Sequence, residues 1–329
     1  MNPIFKHFLA SIVLLAALSS CTGQGTYRSS EGGVWNTLYH ITYKSPVDLS
    51  DSIISVMKQV EMSLSPFADS SLISRINRGE RLPADSMLLT VFRASQQVNR
   101  QSHGAFDPTI SPLINLWGFG YRTTGTEPTQ EQIDSLMALV GIAECGVAED
   151  GTLTLKNPAT EFNFSAITKG YGCDMVGEML RRNGCDDFMV EIGGEIAMSG
   201  RNSRGQKWHI QVDAPVESDT SVIHQSLALI EVTDCGVATS GNYRNFKLTP
   251  DGKVWHTIST VTGRPAETDV LSATVIAPSA MLADAFATSC MAMPAEEAIE
   301  MIEAVEGVDC LLVKKNGIIT SKGFPKLRR

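Results

Sequence analysis

Six residues, Ala283-Asp284-Ala285-Phe286-Ala287-Thr288, carry the clearest chemical signal in this sequence. They follow the apolar run 273–277 and the break Pro278-Ser279, a start signal for a helix. Four residues apart on that helix, Asp284 and Thr288 share one face. A carboxylate and a hydroxyl stacked there, among alanines that let another group come close, suit a hard cation such as Mg²⁺. The alternative is a solvated Asp on an amphipathic helix.

Four further blocks hold residue types that could work with such a cation. Lys169-Gly170-Tyr171-Gly172-Cys173-Asp174 sets a lysine beside two glycines that permit close backbone approach, which suits a phosphate or a flavin; a surface lysine on a helix is the alternative. It is followed by Glu191-Ile192-Gly193-Gly194-Glu195. Gly104-Ala105-Phe106-Asp107-Pro108-Thr109 offers Asp107 as a site carboxylate, as a turn residue before proline, or as both. The remaining two are Ala238-Thr239-Ser240-Gly241-Asn242-Tyr243 and His256-Thr257-Ile258-Ser259-Thr260-Val261-Thr262-Gly263. Only six histidines occur, and a neutral imidazole at His256 could take the proton from an attacking hydroxyl. A strand histidine with a structural hydrogen bond is the other reading.

These residues need elements to hold them. Residues 36–43 alternate as a first strand, and 49–64 carry apolar residues at helical spacing before the break Ser65-Pro66-Phe67. Helices are expected over 71–77, 88–102, 126–140, 167–183 and 295–305, and strands over 188–192, 208–212, 227–232 and 271–277. A closing hairpin pairs 309–315 with 318–321 across Asn316-Gly317. Helices and antiparallel strands come in mixed order without βαβ repeats, so the fold class is α+β: one catalytic unit over residues 34–329, with room for two lobes.

The composition limits the partners. Of 329 residues 43% are hydrophobic and 19% charged, an ordinary globular balance, and mean hydropathy is near zero. A net charge of −9 argues against wrapping a nucleic-acid backbone and requires any polyphosphate to be held by a metal, backbone amides or single lysines. At the N-terminus, Lys6 and His7 precede the apolar run 8–18, too short to span a bilayer comfortably. Leu18-Ser19-Ser20-Cys21 looks like a bacterial lipobox. It implies a signal peptide over 1–20, lipidation of Cys21, and an exported lipoprotein anchored to a membrane and facing the periplasm. Residues 22–33 are polar, with Gly and Ser, and read with Cys21 as a flexible tether reaching roughly 20 Å. Cys145, Cys173, Cys185, Cys235, Cys290 and Cys310 match no zinc or redox spacing and read as small buried hydrophobes, with one disulfide open.

In this order, the five blocks closely resemble the ApbE family of FAD-dependent flavin transferases, from about Trp35 to about Met293. The resemblance implies an ApbE-like fold, related to the T-fold, of mixed helices and antiparallel sheet. It also implies an FAD:protein FMN transferase that uses Mg²⁺ to move the FMN half of FAD onto a Thr or Ser hydroxyl, releasing AMP. Acceptors would be exported segments of respiratory complexes, such as Na⁺-translocating NADH:quinone reductase or RNF-type subunits. Carried onto this chain, the metal ligands are the Ala166 carbonyl, Asp284 and Thr288, and the base is His256. FAD contacts fall on Trp35, Phe67, Ala105, Phe106, Asp107, Asn163, Lys169 and Ile258, with Phe67 open to being a core aromatic. Asn36 replaces the usual Gly of Met-Gly-Thr, Asn163 stands where many relatives have Asp, and Ser259-Thr260 replaces Asp-Pro after the histidine. A Mg²⁺-dependent FAD pyrophosphatase and a non-catalytic flavin-binding lipoprotein are the competing functions.

Overall fold

The computed structural model describes residues 25–120, 128–215, 225–242, 246–249 and 252–328. The lipobox with Cys21, the start of the tether, Tyr243 and residues 126–127 lie outside them. The first hairpin joins β1 (Thr26–Val34) to β2 (Thr37–Ser45), followed by helices α1 (Ser50–Leu64), α2 (Leu72–Asn77), α3 (Ser86–Gln101), α4 (Ser111–Leu116) and α5 (Gln130–Met137). After the short pair β3 (Gly146–Val147) and β4 (Leu153–Thr154) comes the long helix α6 (Ser165–Arg182). Then follow β5 (Phe188–Ile192), β6 (Glu195–Ser199), β7 (Trp208–Asp213), β8 (Ser226–Val232), β9 (Cys235–Gly241), β10 (Phe246–Thr249), β11 (Gly252–Trp255) and β12 (Val270–Ala277). Helices α7 (Ala280–Cys290) and α8 (Ala295–Glu303) precede the last hairpin, β13 (Asp309–Lys314) and β14 (Gly317–Thr320).

One eight-stranded sheet, in the order β1-β2-β5-β6-β9-β12-β13-β14 and antiparallel throughout, runs through the fold. Helices α6 and α7 lie on one of its faces, where Ile167, Phe286, Val275 and Leu312 share a core with Phe92, Phe162 and Phe164. Beside it, Val176 and Leu180 of α6 pack on Ile41, Phe188, Val190 and Ile192. The β7–β8 hairpin supplies Trp208, Ile210, Ile230 and Val232 to a separate core with Met198, Val237, Leu311 and Val313. The expected mixture of helices and antiparallel sheet is present, with burial alternating along β5 and β7 as period-2 patterning requires.

Several expectations are corrected. Residues 26–33 are strand, not tether: β1 pairs with β2 along its whole length, from Thr26↔Ser45 to Val34↔Thr37, so the folded domain begins before residue 34. Backbone pairing on a sheet edge asks little of side chains, which hid this strand. Helix α5 covers only Gln130–Met137 of the expected 126–140; a capping box of Thr129 and Gln132 sets its start. In the last hairpin Lys314 pairs with Gly317, so the loop is Lys315-Asn316, one residue earlier than expected. The six described cysteines are free thiols, five of them buried.

Candidate active site

The site is built where α6 and α7 cross. They approach so closely that a Cβ on Gly170 would lie 2.1 Å from the Ala280 carbonyl oxygen, so only glycine fits. That approach lets the Gly170 amide donate to Asp284 Oδ2 at 3.1 Å. The crossing is clamped by Asp174, whose two carboxylate oxygens accept from the Ala280 and Met281 amides at 2.9 and 2.8 Å, at the amino end of α7. Burial lifts the Asp174 carboxyl to about 6, even though those two amides pull it down. Ser279 caps the same end through Leu282 N, as its position before the alanines predicts.

Asp284 is 2% exposed, which rules out a solvated aspartate. Burial raises its carboxyl, opposed by Lys169 and the Gly170 amide. Lys169 Nζ lies 2.6 Å from Glu195 Oε1 and 3.9 Å from Asp284 Oδ1. Burial works against the lysine's charge, but Asp284 and Glu195 outweigh it and hold the ammonium well above its usual value. Glu195 is 4% exposed, and burial lifts its carboxyl to about 7 against the pull of Lys169. Glu195 closes a block that the sequence singled out, but the sequence assigned it no role. Its signal was the Gly193-Gly194 pair, with φ of 65° and 104°, which makes the two-residue turn between β5 and β6 and aims the next side chain inward.

Asp284 and Thr288 border a cavity of about 420 Å³ that is also lined by Phe67, Ala105, Phe106, Asp107, Asn163, Ala166, Lys169, His256 and Ile258. Residues up to 221 positions apart in sequence are thus brought to one place. Trp35 is the exception. It borders an adjoining cavity of about 670 Å³, and the two share Phe67, Ser165 and Lys169. Phe67 is 67% exposed, so it is no core aromatic. Trp35 and Asn36 form the β1–β2 turn with φ of 48° and 61°, a conformation that asparagine tolerates. The Trp35 indole lies over Gly172, where a Cβ would be 2.4 Å from the ring, and its Nε1 is buried without a partner.

Asp107 does turn work. Its Oδ1 accepts from the Thr109 amide and hydroxyl at 2.8 and 2.5 Å, and its Oδ2 from the Ile142 amide at 3.0 Å; burial still raises its carboxyl. Asn163 Oδ1 accepts from the Ser165 amide at 2.9 Å and helps to start α6. His256 is half-buried and stands edge-on to Phe119, with centroids 6.4 Å apart. Its loop is fastened at three points: Trp117 Nε1 donates to Gly263 O at 2.8 Å, Thr260 Oγ1 to Gly104 O at 2.7 Å, and Thr257 Oγ1 to Asn242 Oδ1 at 2.9 Å. Ser259 Oγ accepts from the Val261 and Thr262 amides at 3.2 and 3.3 Å and holds the turn that follows the histidine.

Among the described residues, no group of three or more His, Cys, Asp and Glu could hold a metal. The donors present are of another kind: one buried carboxylate, Asp284, with the neutral oxygens of Thr288 and the Ala166 backbone on the same cavity wall. Two buried carboxylates face one lysine, and Glu195 Oε2 has no partner. Two carboxyls against one ammonium, with a hydroxyl and a carbonyl beside them, make an oxygen-donor set that fits a hard divalent cation whose shell is completed by phosphate or water.

Known proteins share this architecture. An FAD:protein FMN transferase of Vibrio cholerae serotype O1 is 32% identical, over 97% of this chain and 96% of its own. One from Haemophilus influenzae is 29% identical over 98% of each chain. The solved structure of the flavin transferase ApbE from Vibrio cholerae aligns with a TM-score of 0.79 at 32% identity, covering 91% of this chain and 98% of that one. The apo crystal structure of the Pseudomonas stutzeri flavinyl transferase ApbE gives 0.80 at 28% identity, covering 92% and 96%. The sequence model of the family matches residues 35–312, and the chain belongs to the ApbE family.

Proposed function

We propose that the protein is an FAD:protein FMN transferase that uses Mg²⁺ to move FMN from FAD onto a Thr or Ser hydroxyl of an acceptor protein. The observation that carries this reading is the place of Lys169. It stands where two cavities with aromatic walls meet, beside Asp284, so a ligand with two ring systems joined by a pyrophosphate fits with its phosphates at the lysine.

When bound, Mg²⁺ would neutralise phosphoryl oxygens, a task that a chain of net charge −9 does not assign to clustered Lys and Arg. Asp284, Thr288 and the Ala166 carbonyl would hold it. Lys169 adds a positive charge, Trp35 and Phe67 offer stacking faces, and Phe106 and Ile258 keep the pocket apolar. His256 takes the proton of the acceptor hydroxyl. The hydroxyl oxygen bonds to the FMN phosphorus, the bond from that phosphorus to the bridging oxygen breaks, and AMP leaves with that oxygen.

The lipobox-like Leu18-Ser19-Ser20-Cys21 supports an exported, lipid-anchored enzyme facing the periplasm. In that location, acceptors would be exported segments of respiratory complexes of the Na⁺-translocating NADH:quinone reductase or RNF type. The test incubates the protein with FAD, Mg²⁺ and such an acceptor domain. The acceptor should gain the mass of FMN as AMP accumulates. Rapid release of FMN and AMP with no mass gain on any acceptor would replace transfer by FAD hydrolysis.

A further inference from the structure

Glu195 takes no part in the steps above, yet it is the closest partner of the lysine at their centre. It opens β6 directly after the Gly193-Gly194 turn, which packs on the lysine stem: a Cβ on Gly193 would lie 3.3 Å from Lys169 Cδ. Its backbone is held as well, because Cys173 Sγ donates to Glu195 O at 3.1 Å. The carboxylate is therefore carried by a rigid strand, while Lys169 has a long flexible stem able to reach either of two buried acids.

The lysine is given to Glu195, at 2.6 Å, and kept 3.9 Å from Asp284 Oδ1. Asp284 Oδ2 already accepts from the Gly170 amide. An ammonium in direct contact with Oδ1 would occupy that oxygen and set a like charge against any arriving cation. We propose that Glu195 is a positioning residue that draws Lys169 off Asp284, keeping Asp284 Oδ1 open to a divalent cation and the ammonium available to phosphate oxygens. The inference rests on the reading of Asp284 and Thr288 as cation ligands.

The test measures Mn²⁺ binding to the full-length protein without FAD, by the loss of the free-ion electron paramagnetic resonance signal. Glu195→Gln should weaken Mn²⁺ binding about tenfold or more, because Lys169 relaxes onto Asp284. Glu195→Asp, which keeps the charge, should restore most of the affinity. In a Lys169→Met background, Glu195→Gln should lose most of its effect. In transfer assays Glu195→Gln should raise the Mg²⁺ concentration needed for half-maximal rate, with kcat recovering at high Mg²⁺. An equal loss in both backgrounds would overturn the proposal by showing that Glu195 acts on the cation or the fold directly. So would unchanged Mn²⁺ affinity in Glu195→Gln. Should Asp284→Asn bind Mn²⁺ as tightly as the native protein, the cation reading itself fails and takes the inference with it.

Discussion

Asp284 is buried to 2% exposure, with one oxygen accepting from a backbone amide and the other 3.9 Å from the Lys169 ammonium. A carboxylate left that incompletely paired is costly unless a cation completes it. Asp284→Ala should therefore abolish FMN transfer at ordinary Mg²⁺, whereas Thr288→Val, which removes only a neutral ligand, should raise the Mg²⁺ requirement and leave a measurable rate. Full activity of Asp284→Ala, or activity indifferent to EDTA, would reject the cation site. His256→Asn should still bind FAD, followed by flavin fluorescence, yet lose about 10²–10⁴ in transfer rate, the usual cost of removing a general base. Asp284, Thr288, Lys169 and His256 were legible through the order of their blocks and the resemblance that order carries; taken alone, the i, i+4 pair and the lysine before glycines read as solvated helix positions. Glu195 was not legible, since its importance comes from a partner 26 residues away on another element.

At the scale of elements, the contact between α6 and α7 decides whether those side chains meet. Gly170→Ala places a methyl 2.1 Å from Ala280 O, where only backbone movement can relieve it. That overpacking should cost about 1–3 kcal/mol in denaturant unfolding. It should also weaken Mg²⁺-dependent activity more than FAD binding, because it pushes Asp284 from the Gly170 amide. Native stability in Gly170→Ala would show that the helices tolerate separation. The helices themselves were readable, from periodicity in α1 and α3 and from the Ser279 cap in α7. The edge strand β1 was not: Thr26-Tyr27-Arg28-Ser29-Ser30-Glu31-Gly32-Gly33 lacks apolar alternation and is strand because β2 offers it a backbone ladder.

At the scale of the molecule, one antiparallel sheet and two crossed helices gather Asp107, Lys169, His256 and Asp284 from distant parts of the chain onto a single cavity. No helix among the described residues is long and apolar enough to cross a membrane; the proposed attachment is through a lipid on Cys21. Cys21→Ser should then leave an unlipidated precursor that moves from the detergent phase to the aqueous phase in Triton X-114 partitioning; equal partitioning of native protein and variant would remove the lipid anchor. The folded domain begins at β1 rather than at residue 34, so residues 26–33 are not part of a tether. The sequence by itself determined the α+β class, most helices, the strands β2, β5, β12 and β13, and most of the residues that line the cavity, because periodicity, caps and motif spacing act within a few residues, but it did not show the central strands β6 and β9. Only the tertiary structure decided that Trp35 belongs to a second cavity, that Asp107 is tied into its own turn, and that Lys169 lies closer to Glu195 than to Asp284. Those outcomes depend on which strands pair and which charges are buried together, and such long-range balances leave no trace in local spacing.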